Sequence, residues 1–290
     1  MITEKGFYPA LGTPLDKNGK LIKDSFVRQI NAMIEAGAKG VLCMGSMGTE
    51  AALDLQTYAE TAKVAAETVN GRVPLFIGAM DNSVFKIRER METLKDLKFD
   101  GVVLTTPFYS TTSAANLIRF FNEAAAISPK PVYLYDLPGV TKQKITYEMV
   151  LELKKNPNIK GIKSGDIVLG RQVHMNCPEF EFLFSNLDIF DVGLTFGLPA
   201  VLDGMFTCTP VTSKLFAEAV SKENWKEAGI YLDRIIALRN ALLPSGVWPA
   251  YTACMNLAGF EGNYGFGYEA PCSEAEIAQL KAAMEQMGEL

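Results

Sequence analysis

Short apolar β-type runs alternate with amphipathic helical stretches eight times along the chain, and this rhythm narrows the possible folds most. The runs occupy residues 7–11, 40–44, 73–78, 101–105, 131–135, 159–163, 180–184 and 200–206. Between them, apolar residues recur at helical spacing over 24–37, 54–69, 83–97, 114–127 and 147–155. Breakers stand between helix and next strand: Gly37, Asn70-Gly71, Pro129 and Asn156-Pro157. Runs this continuously apolar read as strands buried on both faces, as in parallel sheets. Eight units within residues 1–222 predict an α/β chain folded as a (β/α)8 TIM barrel. An open doubly wound sheet is the competing arrangement. After the eighth run the alternation stops. Residues 211–221, 225–243, 250–257 and 273–287 all read as helices, and 223–290 form a C-terminal helical extension. Ser273 followed by Glu274 and Glu276 marks a helix start, with acidic residues at the positive end of the dipole.

The chain has 290 residues, 48% of them hydrophobic, enough to bury a large core. Its net charge is −5, from 28 basic and 33 acidic residues, and no basic run is visible. That balance argues against nucleic acid as the main partner. Neither an apolar leader at the N-terminus nor a bilayer-length apolar stretch is visible, so the cytoplasm is the expected location. Cys43, Cys177, Cys208, Cys254 and Cys272 are scattered and form no CxxC pair, which disfavours a disulfide framework or a zinc site. His174 is the only histidine, and it sits in an ordinary helical stretch. Proton transfer is therefore expected from Tyr, Lys, Asp or Glu, with no metal or cofactor.

Barrel enzymes build their sites at the C-terminal ends of the strands. That rule selects Gly45-Ser46-Met47-Gly48-Thr49-Glu50 after the second run and Thr105-Thr106-Pro107-Phe108-Tyr109 after the fourth. It also selects Tyr135-Asp136-Leu137-Pro138-Gly139 after the fifth and Lys163 at the end of the sixth. Each has a plain reading. Gly45 and Gly48 suit a tight turn, the tyrosines suit packed aromatics, and a strand-end lysine commonly points to water. Together they offer more. Desolvation favours a neutral amine, the nucleophile that forms Schiff bases with carbonyl compounds. Phenols can move protons, and loop amides with a hydroxyl can hold a carboxylate.

These motifs resemble the dihydrodipicolinate synthase/N-acetylneuraminate lyase family of class I, pyruvate-type aldolases. The resemblance rests on Gly45-Ser46-Met47-Gly48-Thr49, Thr106-Pro107-Phe108-Tyr109, Tyr135-Asp136-Leu137-Pro138-Gly139 and Gly161-Ile162-Lys163, in order and at family spacing. It implies that Lys163 forms a Schiff base with a 2-oxo acid and that Tyr135 is the general acid/base. It implies that Ser46 contacts both substrate carboxylate and tyrosine, and that the Met47 amide shares the carboxylate. Gly204 and Phe206 match a segment lining the pyruvate end. Tyr109 matches a tyrosine inserted from a neighbouring subunit, which implies a homo-oligomer, a tetramer arranged as a dimer of dimers.

Departures from the family pattern bear on substrate choice. Met47 replaces a usual Thr, Thr49 a usual Glu, and Asp136 a usual Asn. Strand alternation turns Asp136 away from Tyr135 if the tyrosine faces inward. Val140 stands where dihydrodipicolinate synthases carry an arginine, and Asp188 with Ile189 stands where sialate lyases carry an acidic pair. The resemblance therefore implies a lyase that cleaves or condenses another 2-oxo acid, giving pyruvate and an aldehyde, with an outer pocket more apolar than in either name-giving enzyme. A Schiff-base dehydratase of a deoxy 2-oxo sugar acid uses the same parts. A weakly active 2-oxo-acid-binding or regulatory protein, or a barrel with a phosphate site, are the readings from other classes.

Overall fold

Eight parallel strands form the centre of the computed structural model, which describes residues 4–290. They are β1 (Gly6–Pro9), β2 (Val41–Cys43), β3 (Leu75–Gly78) and β4 (Gly101–Thr105). The others are β5 (Val132–Asp136), β6 (Ile159–Ser164), β7 (Glu181–Phe184) and β8 (Ala200–Asp203). The hydrogen-bonded order runs β1-β8-β7-β6-β5-β4-β3-β2. A parallel bridge between Ala10 and Leu42 joins the two ends, with Leu11 N donating to Leu42 O at 2.8 Å. The sheet is thus closed into the expected (β/α)8 barrel. Closure matters because an open edge would leave backbone groups unpaired.

Around it, in chain order, stand α1 (Lys23–Glu35), α2 (Leu55–Val69), α3 (Val84–Leu94), α4 (Ala114–Ile127), the single turn α5 (Pro138–Thr141) and α6 (Tyr147–Leu153). They continue with α7 (Ile167–Asn176), α8 (Phe190–Thr195) and α9 (Pro210–Ser221). The extension is α10 (Trp225–Leu242), α11 (Val247–Leu257) and α12 (Glu274–Met287). Local chemistry sets several boundaries. Asp54 caps α2 by accepting from Thr57 N at 2.7 Å, and Asn70 ends it in the left-handed region. Ser273 and Glu276 form a reciprocal capping box on α12. The eighth run is shorter than its apolar pattern predicts. Asp203 Oδ1 accepts from Met205 N at 2.8 Å, and Gly204 O accepts from Thr207. These local bonds turn the backbone into a 3₁₀ segment, Met205–Cys208, instead of prolonging the ladder.

Side chains alternate between two cores. One lies inside the barrel, with Tyr8, Phe76 and Tyr133 filling its N-terminal end and Tyr135 nearer the other. Phe76 and Tyr133 meet edge to face at 5.0 Å. These large rings fit because small residues face them. A Cβ on Gly40 would come within 2.5 Å of the Tyr8 ring, and one on Gly101 within 2.6 Å of the Tyr133 ring. The second core lies between strands and helices, where Phe206 packs among Phe7, Phe190 and Phe216. Helix α10 packs on α8 and α9, which carries its C-terminal half over the ends of β7 and β8. No described helix is long and apolar enough to cross a membrane.

Candidate active site

Tyr135 and Lys163 are direct partners in the β5–β6 register, so both side chains enter the barrel on one level. Both are almost completely buried. Lys163 Nζ stands 3.6 Å from the centroid of the Tyr135 ring, on its π face. Tyr135 Oη lies 3.0 Å from Ser46 Oγ, either being able to donate. Ser46 begins a 3₁₀ turn, Ser46–Gly48, whose Gly48 carbonyl accepts from Thr13 Oγ1 at 2.8 Å. Lysine amine, phenol and serine hydroxyl therefore form one short series, each member supplied by a different strand end.

A cavity of about 320 Å³ opens above this series, with Ser46, Met47, Tyr135, Lys163, Asp203 and Arg239 among its walls. Met47 folds across Gly204, so closely that a Cβ on Gly204 would sit 2.4 Å from Met47 Cγ. Asp203, at the end of β8, faces the cavity, and burial pushes its carboxyl up against the pull of the Met205 amide and of Lys163. A larger cavity of about 550 Å³ lies between α11 and the start of α12. None of the residues singled out for chemistry lines it.

The remaining sequence candidates fall in several places. Gly204 and Met47 line the cavity, whereas Phe206 belongs to the aromatic stack outside the barrel, and Met205 faces the cavity instead. Val140 is 60% exposed on α5, and Tyr109 is 91% exposed. The amides of Phe108 and Tyr109 both donate to Asn82 Oδ1, at 2.8 and 2.7 Å, which fixes the loop that presents the tyrosine. Asp188 makes a two-point contact with Arg239, Nη1 to Oδ2 at 3.1 Å and Nη2 to Oδ1 at 2.6 Å. Those hydrogen bonds hold the Asp188 carboxyl below its ordinary range. Asp136 points outward, as alternation requires, and accepts from Ile145 N and Ser164 Oγ. His174 lies on α7 against Phe196.

Sequence reasoning missed Asp203, Arg239 and a buried cluster beside the Ser46 loop. Asp203 ends a strand, and the same strand-end rule that selected Lys163 reaches it. No local signal marks Arg239. In the third case Thr49 adopts φ 47° and Glu50 turns fully inside. There Arg90 Nη1 lies 2.8 Å from Glu50 Oε1 and Arg90 Nη2 3.3 Å from Asp81 Oδ2. Burial raises the Glu50 carboxyl to about 8, although Arg90 opposes it. Among the described residues no cluster of three or more His, Cys, Asp or Glu is arranged to hold a metal ion.

A family model described as the dihydrodipicolinate synthetase family matches residues 3–287. A 4-hydroxy-tetrahydrodipicolinate synthase of Phenylobacterium zucineum is 27% identical over 297 residues, covering 98% of this chain and 97% of the relative. Another, from Methanospirillum hungatei, is 34% identical over 167 residues, 56% of this chain and 57% of the relative. Among solved structures, YagE of E. coli K12 superposes with a TM-score of 0.88 at 25% identity, covering 99% of both chains. YagE is described as a prophage protein of the dihydrodipicolinic acid synthase family, in complex with pyruvate.

Proposed function

Since the chain belongs to the dihydrodipicolinate synthetase family, we propose that it is a Schiff-base-forming lyase that releases pyruvate and an aldehyde from a 2-oxo acid, or runs the reverse condensation. One observation carries this reading: a buried lysine amine lies against a tyrosine whose hydroxyl already meets Ser46. Packing alone would be served as well by an apolar residue at position 163, since a buried lysine carries a desolvation cost.

The steps follow from the parts. Lys163 Nζ attacks the ketone carbon of the 2-oxo acid while the substrate carboxylate lies at the Ser46–Met47 turn. Tyr135 donates to the carbinolamine oxygen, water leaves, and a protonated imine remains. A base takes the proton of the hydroxyl on the carbon beyond the α-carbon. The carbon–carbon bond then breaks, its electron pair flows into the imine, and the aldehyde departs. The enamine takes a proton at carbon and becomes the imine of pyruvate. Water adds to that imine, releasing pyruvate and the free amine. General acid–base assistance of this kind is typically worth about 10²–10⁴ in rate. The YagE–pyruvate complex supports pyruvate as the inner portion of the substrate. Exposed Val140 offers no charge for the second substrate of dihydrodipicolinate synthesis, which argues for a different aldehyde.

Incubation with pyruvate and borohydride followed by intact-mass measurement tests the proposal. Wild-type protein should gain a pyruvate-sized adduct, and Lys163→Ala should gain none. An equal adduct on the variant removes Lys163 as nucleophile.

A further inference from the structure

From the outer face of the strand ends that carry Tyr135 and Lys163, we infer that Lys144 is a positioning residue for imine formation. By neutralising the buried Asp136 carboxylate it holds the ends of β5 and β6 together, and with them the phenol and the amine inside. Lys144 never touches the substrate, and its role rests on the Lys163 reading.

The strand register sets two layers back to back. Tyr135 pairs with Lys163 inside the barrel, and the next pair, Asp136 with Ser164, faces outward. Ser164 Oγ donates to Asp136 Oδ2 at 2.8 Å and accepts from Asp166 N at 3.1 Å. Asp136 Oδ1 accepts from Ile145 N at 2.9 Å. The Asp136 side chain is only 1% exposed, so its charge needs a counter-charge from the protein. Lys144 supplies it. Its Nζ donates to Asp136 Oδ2 and lies 3.0 Å from Asp166 Oδ2.

The lysine is delivered to a fixed place, because both its neighbours are tied down. Gln143 Nε2 donates to Pro107 O at 2.7 Å, and Gln143 Oε1 accepts from Thr112 N at 2.7 Å. Ile145 is held through its amide by Asp136 itself. Asp166 in turn caps α7, accepting from the amides of Val168 and Leu169 at 2.9 and 3.0 Å. One ammonium thus joins the segment after α5, the ends of β5 and β6, and the start of α7. A wholly exposed ion pair contributes little to stability. Here one partner is desolvated, and removing the cation alone leaves a buried carboxylate uncompensated one residue from Tyr135. The strand ends then part to let water reach it, and Tyr135 and Lys163 shift with them.

Rapid mixing with pyruvate, quenched in borohydride and read by intact mass, gives both the rate constant and the amplitude of adduct formation. Lys144→Met should lower the rate constant at saturating pyruvate by about 10–10²-fold, the scale on which a misplaced reacting group tells. Lys144→Arg should keep most of the wild-type rate. Asp136→Asn removes the charge and keeps the shape, so it should trap pyruvate nearly as fast as wild type. Combining Asp136→Asn with Lys144→Met should give the rate of Asp136→Asn alone, because no charge is then left to neutralise. A merely structural role has a different signature. Fewer folded sites would lower the amplitude and leave the rate constant alone, or the double variant would stay as slow as Lys144→Met. Either result, or an unchanged rate in Lys144→Met, overturns the inference. Should Lys144→Met fail to fold, Lys144→Gln keeps a donor without the charge and is judged by the same criteria. If pyruvate leaves no adduct on wild-type protein, the Lys163 reading fails and this one falls with it. Pyruvate trapped normally by wild type and equally fast by Lys144→Met rejects the role of Lys144 alone.

Discussion

Ser46 Oγ and Tyr135 Oη lie 3.0 Å apart although 89 residues separate them in the chain. Only barrel closure brings the two together, because one follows β2 and the other ends β5. The contact gives the phenol a fixed direction before any substrate arrives. Preorganisation of that kind is what separates a catalytic group from a merely buried one.

Tyr135→Phe should therefore damage chemistry while sparing the fold. The substitution removes one hydroxyl, and the ring keeps its place beside Lys163 and inside the barrel core. Turnover should fall about 10²–10⁴-fold while the thermal midpoint moves by a few degrees at most. Steady-state rates beside a melting curve check both halves. Unimpaired turnover would show that another group moves the proton.

Gly204 and Met47 should prove energetically coupled. Gly204 has ordinary helical dihedrals, φ −77° and ψ −26°, so alanine is allowed by the backbone and excluded by Met47. Gly204→Ala should cost about 1–3 kcal/mol through overpacking. Adding Met47→Ala removes the obstructing side chain, so the double variant should be less destabilised than the two single costs together. Urea unfolding of all four proteins gives the coupling directly, and additivity within about 0.5 kcal/mol would count against the contact.

Glu50 makes stability depend on pH in a definite direction. Its carboxyl is raised from 4.5 to about 8 in the folded protein, chiefly by burial. Between those values the folded state holds a proton that the unfolded state has released. Stability from this group is complete below about pH 4.5 and is lost as pH rises toward 8. Glu50→Gln mimics the protonated form and should lack this slope. From pH 5 to 8 wild type should lose stability relative to the variant, by no more than about 1.4 kcal/mol per pH unit. Chemical unfolding across that range measures it. Parallel profiles would mean that Glu50 is already ionised beside Arg90.

Tyr109 carries the proposal of a shared site, since an aromatic ring left 91% exposed beside an anchored loop is suited to a neighbouring subunit. The active form should be at least a dimer. Tyr109→Phe and Tyr135→Phe proteins, each impaired, should regain activity when mixed under conditions where subunit exchange has been verified. Verified exchange with no recovery, or a fully active monomer, rejects the arrangement.

Most of the scaffold was legible because each β/α unit carries its own local signals. Continuous apolar runs gave the strands, and residues such as Asn70 and Ser273 marked helix ends through bonds formed within a few residues. Lys163, Tyr135 and Ser46 were legible because the barrel rule maps strand ends to a common face. Arg239 was not. It reaches the cavity only because α10 packs over α8 and α9, a long-range arrangement with no signature around position 239. Phe206 shows the opposite limit. The apolar run ending there reads as strand, but bonding around Asp203 and Gly204 turns the chain first and sends the ring into the outer core. Glu50 was in plain view as a residue. What the sequence does not reveal is that the preceding Thr49, at φ 47°, turns it inside.

The aromatic plug of Tyr8, Phe76 and Tyr133 has a kinetic consequence. It makes the barrel a blind tube whose opening is at the strand ends. Whatever bonds to Lys163 occupies the bottom, and whatever reacts with it lies above, between it and solvent. On the proposed chemistry, condensation must then load the 2-oxo acid first and the aldehyde second. In cleavage the aldehyde must leave before pyruvate can. The covalent imine sets that order, and the plug closes the far end of the barrel, so both reactants share the one entrance at the strand ends.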